Sequence, residues 1–111
     1  MTNIKTFIRN EHEGFQLASR RGDVDQSWNH LRRIHIVSQY NICYHLWSHF
    51  IMLRYAIKIH STKEVFGQLI RLILAPLGHV TGRIPVGNRG TSDVSPFIRE
   101  TIPHDLRELI K

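Results

Sequence analysis

The sequence predicts an all-α protein: antiparallel helical hairpins, about four helices in a stack, a Gly/Pro-rich C-terminal tail packed across them and a short last helix. Up to residue 75, apolar side chains recur at intervals of three, four and seven, the period of one helix face. Helix stop and start signals divide that stretch: Gly22 with Asp23 and Asp25, then Ser61 and Thr62 ahead of Glu64. Beyond it, Gly78, Gly82, Pro85, Gly87, Gly90 and Pro96 preclude a long helix, so residues 76–102 are expected to be irregular.

A first helix, residues 3–20, carries Ile4, Phe7, Ile8, Phe15 and Ala18 on one face, with Arg20 and Arg21 suited to its C-terminal dipole. The second, residues 24–37, presents Val24, Trp28, Leu31 and then Ile34 or His35. Ser38 stands where a continuing stripe would want an apolar residue, so Ser38 to Asn41 should turn the chain. The third, residues 42–59, is apolar over most of its girth and is expected to be central. The fourth, residues 62–75, begins at a serine or threonine cap and is expected to end at Pro76, which cannot donate to the helical ladder. In the tail, Gly87-Asn88-Arg89-Gly90 follows no strand and precedes no Gly-Lys-Ser/Thr, which excludes a phosphate-cradling loop. Its glycines instead let the backbone close on the helices, with Val86, Val94, Phe97 and Ile98 expected to pin it there. Residues 103–110 form the last helix, Pro103 at its start and Asp105 in its first turn.

Shifting the chain by 38 positions lays Phe15 on Leu53, Ala18 on Ala56, Trp28 on Phe66, Leu31 on Leu69 and Arg33 on Arg71. Two hairpins of one pattern are what a short tetratricopeptide-like stack would show, since each buries its apolar face on the next.

At 111 residues the chain suits one domain, residues 1–111, and 41% hydrophobic with 22% charged residues is ordinary globular usage. Arg, Lys or His breaks every apolar run, so no membrane span is expected, and the N-terminus lacks the basic-then-apolar layout of a signal peptide. Cys43, the single cysteine, excludes an intrachain disulfide and fits a reducing cytoplasm. The formal charge of +6 comes from cations spread along the chain, which describes a solvated surface better than a nucleic-acid footprint.

Half of the eight histidines fall between His30 and His49. His45 and His49, four apart, project from nearly one helix face, a metal-ligand spacing. With the turn near Gln39 and Tyr40, an antiparallel hairpin brings His35 to the level of His45, and His30 to the level of His49. Imidazole suits zinc, copper, nickel and iron, and helix pairs build such sites. Because five residues turn a helix by about 140°, His30 and His35 cannot face one ion equally well. His35, His45 and His49 are therefore the first candidate ligands, with His30 a fourth ligand or a hydrogen-bond partner behind them. Cys43, two before His45, is expected to face elsewhere as a buried packing thiol.

No catalytic set accompanies them. Asp23, Asp25 and Glu64 are the nearest carboxylates in sequence and none lies between the histidines, which argues against a carboxylate-bridged di-iron centre. Positions 46–48 are Leu, Trp and Ser where a His-Glu-x-x-His hydrolase would carry its base. Cys43 has no orienting acid, and Ser48 and Ser95 lack nucleophile elbows.

With His30-Leu31-Arg32-Arg33-Ile34-His35-Ile36, His45 and His49 in view, the chain resembles a bacterial family, domain of unknown function 3703. The resemblance continues through Met52-Leu53-Arg54, residues 64–72, Thr81-Gly82-Arg83-Ile84-Pro85-Val86-Gly87-Asn88, Gly90, and Val94 to Pro103, so it covers roughly residues 22–107. It implies that the four histidines form a site and that the hairpin and the Gly-Asn-x-Gly tail are one unit. Gln68, Arg71 and Asn88 would then line its pocket. Members usually carry Glu where Arg32 stands here, and the family brings no established activity.

The resulting expectation is a cytoplasmic helical protein that binds a transition metal, zinc before others, through His35, His45 and His49 with His30 assisting, in a structural or metal-handling role and not clearly an enzyme. The alternative is a helical interaction module with structural histidines, binding a protein partner or a second copy of itself. A basic nucleic-acid binder is the third and least favoured.

Overall fold

The computed structural model describes residues 3–110, and each of its four long helices begins at a side chain that satisfies a free backbone N–H. Asn3, Asp23, Asn41 and Ser61 accept from the N–H groups of Thr6, Gln26, Tyr44 and Glu64. The helices are α1 (Ile4–Arg20), α2 (Val24–Ser38), α3 (Ile42–Lys58), α4 (Thr62–Thr81) and α5 (His104–Leu109), and no strand occurs among the described residues. The all-α expectation holds.

The period of 38 is kept in the backbone. α1 and α3 start 38 residues apart, as do α2 and α4. The two hairpin turns also share one bonding pattern: Arg21, Gly22 and Asp23 donate to Leu17, Ser19 and Ala18, while Ile59, His60 and Ser61 donate to Tyr55, Ile57 and Ala56. Each turn needs one left-handed residue, supplied by Gly22 at φ 72° and by His60 at φ 59°.

α2 packs against α1, α3 and α5, and its Trp28, Leu31 and Ile34 meet Ile8, Met52 and Leu106 in the core. α2 therefore takes the central position expected of α3, which leaves Phe50 and Ile57 half exposed.

Two further expectations are corrected. The fourth helix does not stop at Pro76; it runs through the proline to Thr81 and closes on left-handed Gly82, with the Arg83 N–H bonded to the Gly78 carbonyl. An interior proline costs about 3 kcal/mol or more, and the added turn offsets this with the Gly82 cap and a contact from His79 into the protein. The tail, irregular only from residue 82, is not pinned by Phe97 and Ile98, which are exposed. Buried polar groups hold it: the Gln39 side chain donates to the Pro85 carbonyl and accepts from the Gly87 N–H, while Arg71 donates to the Thr91 and Val94 carbonyls.

α4 is patterned inside out. Gln68, Arg71 and Ala75 are buried, while Phe66, Ile70, Ile73, Leu77 and Val80 are exposed in a stripe spaced four, three, four and three.

The paired turns give a direct test. Glycine relieves the left-handed strain at His60 but adds unfolded-state freedom, so His60→Gly should raise stability by ~0.5–1 kcal/mol and Gly22→Ala should lower it by about 1 kcal/mol. Urea unfolding monitored by circular dichroism reads both.

Candidate metal centre

Helical spacing and the short turn at Gln39 place His35 near the C-terminus of α2, facing His45 and His49 on the first turns of α3. Their Nε2 atoms form a nearly equilateral triangle: 3.0 Å between His35 and His49, and 3.2 Å from His45 to each. All three residues are buried, and they form the group among the described residues whose donor atoms can converge on one ion.

The opposite ring nitrogens fix the tautomers. His35 Nδ1 lies 2.7 Å from the Asn88 backbone oxygen, which can only accept, so Nδ1 carries the proton. His49 Nδ1 lies 2.7 Å from Gln68 Oε1. The Gln68 amide nitrogen is committed to two acceptors, the Gly90 carbonyl and the Glu64 carboxylate, so its oxygen faces His49 and His49 Nδ1 donates. Both rings consequently turn bare Nε2 lone pairs toward each other across 3.0 Å. His45 completes the set, its Nδ1 lying 3.0 Å from His79 Nε2; when Nδ1 donates there, a third lone pair enters the triangle.

Adding protons is a poor remedy. Burial, followed by the neighbouring His49 and His45, pushes His35 well below the ordinary imidazole value. Burial likewise brings His45 down to about 3, helped by His49 and His79. His49 falls to about 4 through burial and the Arg71 charge, against its hydrogen bond to Gln68. With His45 Nδ1–H on His79, three neutral acceptors face one another, and that is what a cation would satisfy.

The outer groups are equally specified. The Asn88 side chain donates to the Ser95 and Ile98 carbonyls and accepts from the Gly90 N–H, holding the loop whose carbonyl orients His35. Gly90, at φ 84°, lies flat on that ring; a Cβ there would come within 2.6 Å of His35 Cγ.

Over the triad opens a cavity of about 240 Å³, lined by the three histidines, Arg71, Asn88 and apolar groups from α4 and the tail. Of the expected lining residues, Arg71 and Asn88 are there, while Gln68 stands behind His49.

A family profile described as "Protein of unknown function (DUF3703)" matches residues 2–110. The chain belongs to DUF3703. No curated protein and no solved structure matches it. Within this DUF3703 chain His30 stands apart from the triad: it faces α1, its Nδ1 2.5 Å from Glu11 Oε2. Its level along the hairpin suited the site, but its direction around α2 did not. Arg32, where members were expected to carry Glu, bonds to Thr91 Oγ1 and does not line the cavity. Cys43, expected buried, is exposed. The residue of the candidate site that sequence reasoning missed is His79, because a helix ending at Pro76 does not reach it. Its signal was present: Gln68, Arg71, Ala75 and His79 follow one helical face.

Acid should destabilise the metal-free protein through these three histidines. In metal-free protein these rings are neutral when folded and titrate near 6.5 when unfolded, so the unfolded chain binds more protons below that pH and stability falls. The loss should accumulate from about pH 6.5 toward pH 4. Asp93, Glu100 and Asp105 have lowered values and ordinary values of 3.8, 4.5 and 3.8, so they contribute chiefly below that window. His12, also lowered by burial, adds to the slope, so the comparison is with His49→Gln, in which the slope of urea midpoint against pH should shrink.

Proposed function

We infer that this DUF3703 protein binds a transition metal, zinc before others, through the Nε2 atoms of His35, His45 and His49, and that its role is metal handling. The observation carrying this reading is the buried contact between the His35 and His49 Nε2 lone pairs, both rings having their protons committed on Nδ1. Sides of 3.0–3.2 Å suit three ligands on one face of an ion about 2.0–2.1 Å away, where tetrahedral geometry needs about 3.3–3.4 Å between nitrogens. The Asn88 carbonyl, Gln68 and His79 would act as the outer partners that hold metal-binding imidazoles in place. Structural zinc sites close with four protein ligands, whereas three ligands beneath a cavity leave a position open, which favours handling over a purely structural role.

Protein purified without a polyhistidine tag should carry about one equivalent of metal by elemental analysis, and chelator should lower its melting temperature. His45→Ala or His49→Ala should abolish stoichiometric binding. His79→Ala should weaken it about 10–100-fold, and His30→Ala should leave it intact. Absence of metal together with a melting temperature indifferent to chelator would sink the proposal.

The interaction reading rests on a separate feature, the outward stripe Phe66, Ile70, Ile73, Leu77 and Val80. A continuous apolar helix face marks a contact surface, and its four-three spacing suits another helix. If that helix belongs to a second copy, Ile73→Lys should convert a dimer to monomer in sedimentation equilibrium without changing metal content.

A further inference from the structure

Arg71 is a buried guanidinium, 6% exposed, and no carboxylate lies within ion-pair distance of it among the described residues. Its terminal nitrogens donate to the backbone carbonyls of Gly67, Thr91 and Val94, while its Nε has no partner. Glu64 and Asp93 act on it only through space, and burial works against its charge. Groups of this kind are costly unless paired.

The internal repeat shows what is missing. Thirty-eight residues earlier stands Arg33, in the first hairpin, and it is fully provided for: Nε lies 2.9 Å from Glu11 Oε1, and a terminal nitrogen lies 2.5 Å from Asp105 Oδ2. Glu11 is bound on its other oxygen by His30. In the second hairpin the position of Glu11 is His49 and the position of His30 is Gln68, and these two are hydrogen-bonded just as their counterparts are. The pairing geometry is shared, but where the first hairpin has a carboxylate that answers the arginine, the second has an imidazole of the triad. Arg71 holds the equivalent place without an anion.

The cavity beside it shares this imbalance. Arg71, Arg83 and the three histidines line it, and among the described residues no Asp or Glu does. A divalent ion held by three neutral imidazoles would add two positive charges that nothing in the wall offsets. Most of the remaining wall is apolar, Leu74, Leu77, Ile84, Pro85, Pro96 and Phe97 among it, with the uncharged Gln39, Thr81 and Asn88 as its polar members.

We propose that the cavity binds a small carboxylate with an apolar body, its head placed between the open position of the triad's metal and Arg71, and its body against Leu74, Leu77, Ile84 and Phe97. The external carboxylate takes the part that Glu11 plays for Arg33. A carboxylate fits better than phosphate because Arg71 is the one buried arginine of the wall, Arg83 being exposed, and the Gln39 and Asn88 amides are already committed to backbone carbonyls, so a doubly charged phosphate would leave oxygens without donors. This assignment rests on the metal reading above.

The test is calorimetric titration of the zinc-loaded full chain with acetate, butyrate, hexanoate, hexanamide and inorganic phosphate, metal content being measured on the same samples. Hexanoate should bind at least about tenfold more tightly than acetate, through its buried methylenes, and at least about tenfold more tightly than hexanamide, through its charge. Arg71→Gln should lower hexanoate affinity about tenfold or more when binding is referred to the zinc-loaded fraction of each sample, with Arg71→Lys recovering part of the loss. Because Arg71 also anchors the tail, the comparison of hexanoate with hexanamide on the unaltered chain decides the matter if the variants fail to fold. Equal affinity for hexanoate and hexanamide, or tighter binding of phosphate, overturns the carboxylate assignment while leaving the metal reading in place. Absence of stoichiometric zinc overturns both.

Discussion

Two imidazole nitrogens facing each other at 3.0 Å, each with its proton committed on the far side of its ring, set the terms for the rest of this protein. Such a contact is unfavourable on its own and persists only where the surroundings over-determine it. They do so from three directions. The tail supplies the Asn88 carbonyl behind His35 and lays Gly90 on the ring, α4 supplies Gln68 behind His49 and His79 behind His45, and the short turn at Gln39 fixes the level at which α2 meets α3. Remove any of these and the rings could rotate apart.

The same demand explains the unusual distribution of polarity. A helix on a small protein ordinarily buries its apolar stripe, yet α4 buries Gln68 and Arg71 and exposes its large apolar residues. Buried polar side chains need partners, and here they come from backbone carbonyls of an irregular tail that would otherwise have little reason to stay in place. Tail and triad are thus mutually dependent: the tail orients the imidazoles, and the polar groups around them anchor the tail. Apolar burial carries the other end of the molecule, where Leu31, Ile34, Met52 and Leu106 pack without exposure.

How much of this was legible in the sequence follows from which links are local. Helix starts were readable because a cap is a residue and its neighbour three positions on, and the levels of His35, His45 and His49 followed from hairpin numbering alone. The placement of His30 failed because level along a hairpin says nothing about direction around the helix, and His30 points to Glu11 on α1. The proline rule failed at Pro76 because propensity is a local cost that a tertiary contact can outweigh, and the contact in question, His79 with His45, spans 34 residues. Gln39 could not have been singled out at all. Its bonds to Pro85 and Gly87 reach across 46 and 48 residues, and nothing near it in sequence announces them.

The repeat supplies a rationale for how a site could arise in so small a fold. In the first hairpin the His30, Glu11 and Arg33 side chains form a closed polar cluster between α1 and α2, partly exposed and internally neutralised, of a kind that serves structure. The equivalent positions of the second hairpin, Gln68, His49 and Arg71, retain the contact between the helices while giving up the negative charge. Exchanging a carboxylate for an imidazole at that one place does two things at once. It places there a neutral imidazole whose orientation is fixed by the Gln68 side chain, and it leaves an arginine without a carboxylate at the edge of a cavity. His45 and His35 then need only occupy the adjoining helix faces, which the hairpin register brings within 3.2 Å. The fixed orientation of His49 and the arginine left without a carboxylate beside the cavity both follow from this one difference between the two hairpins.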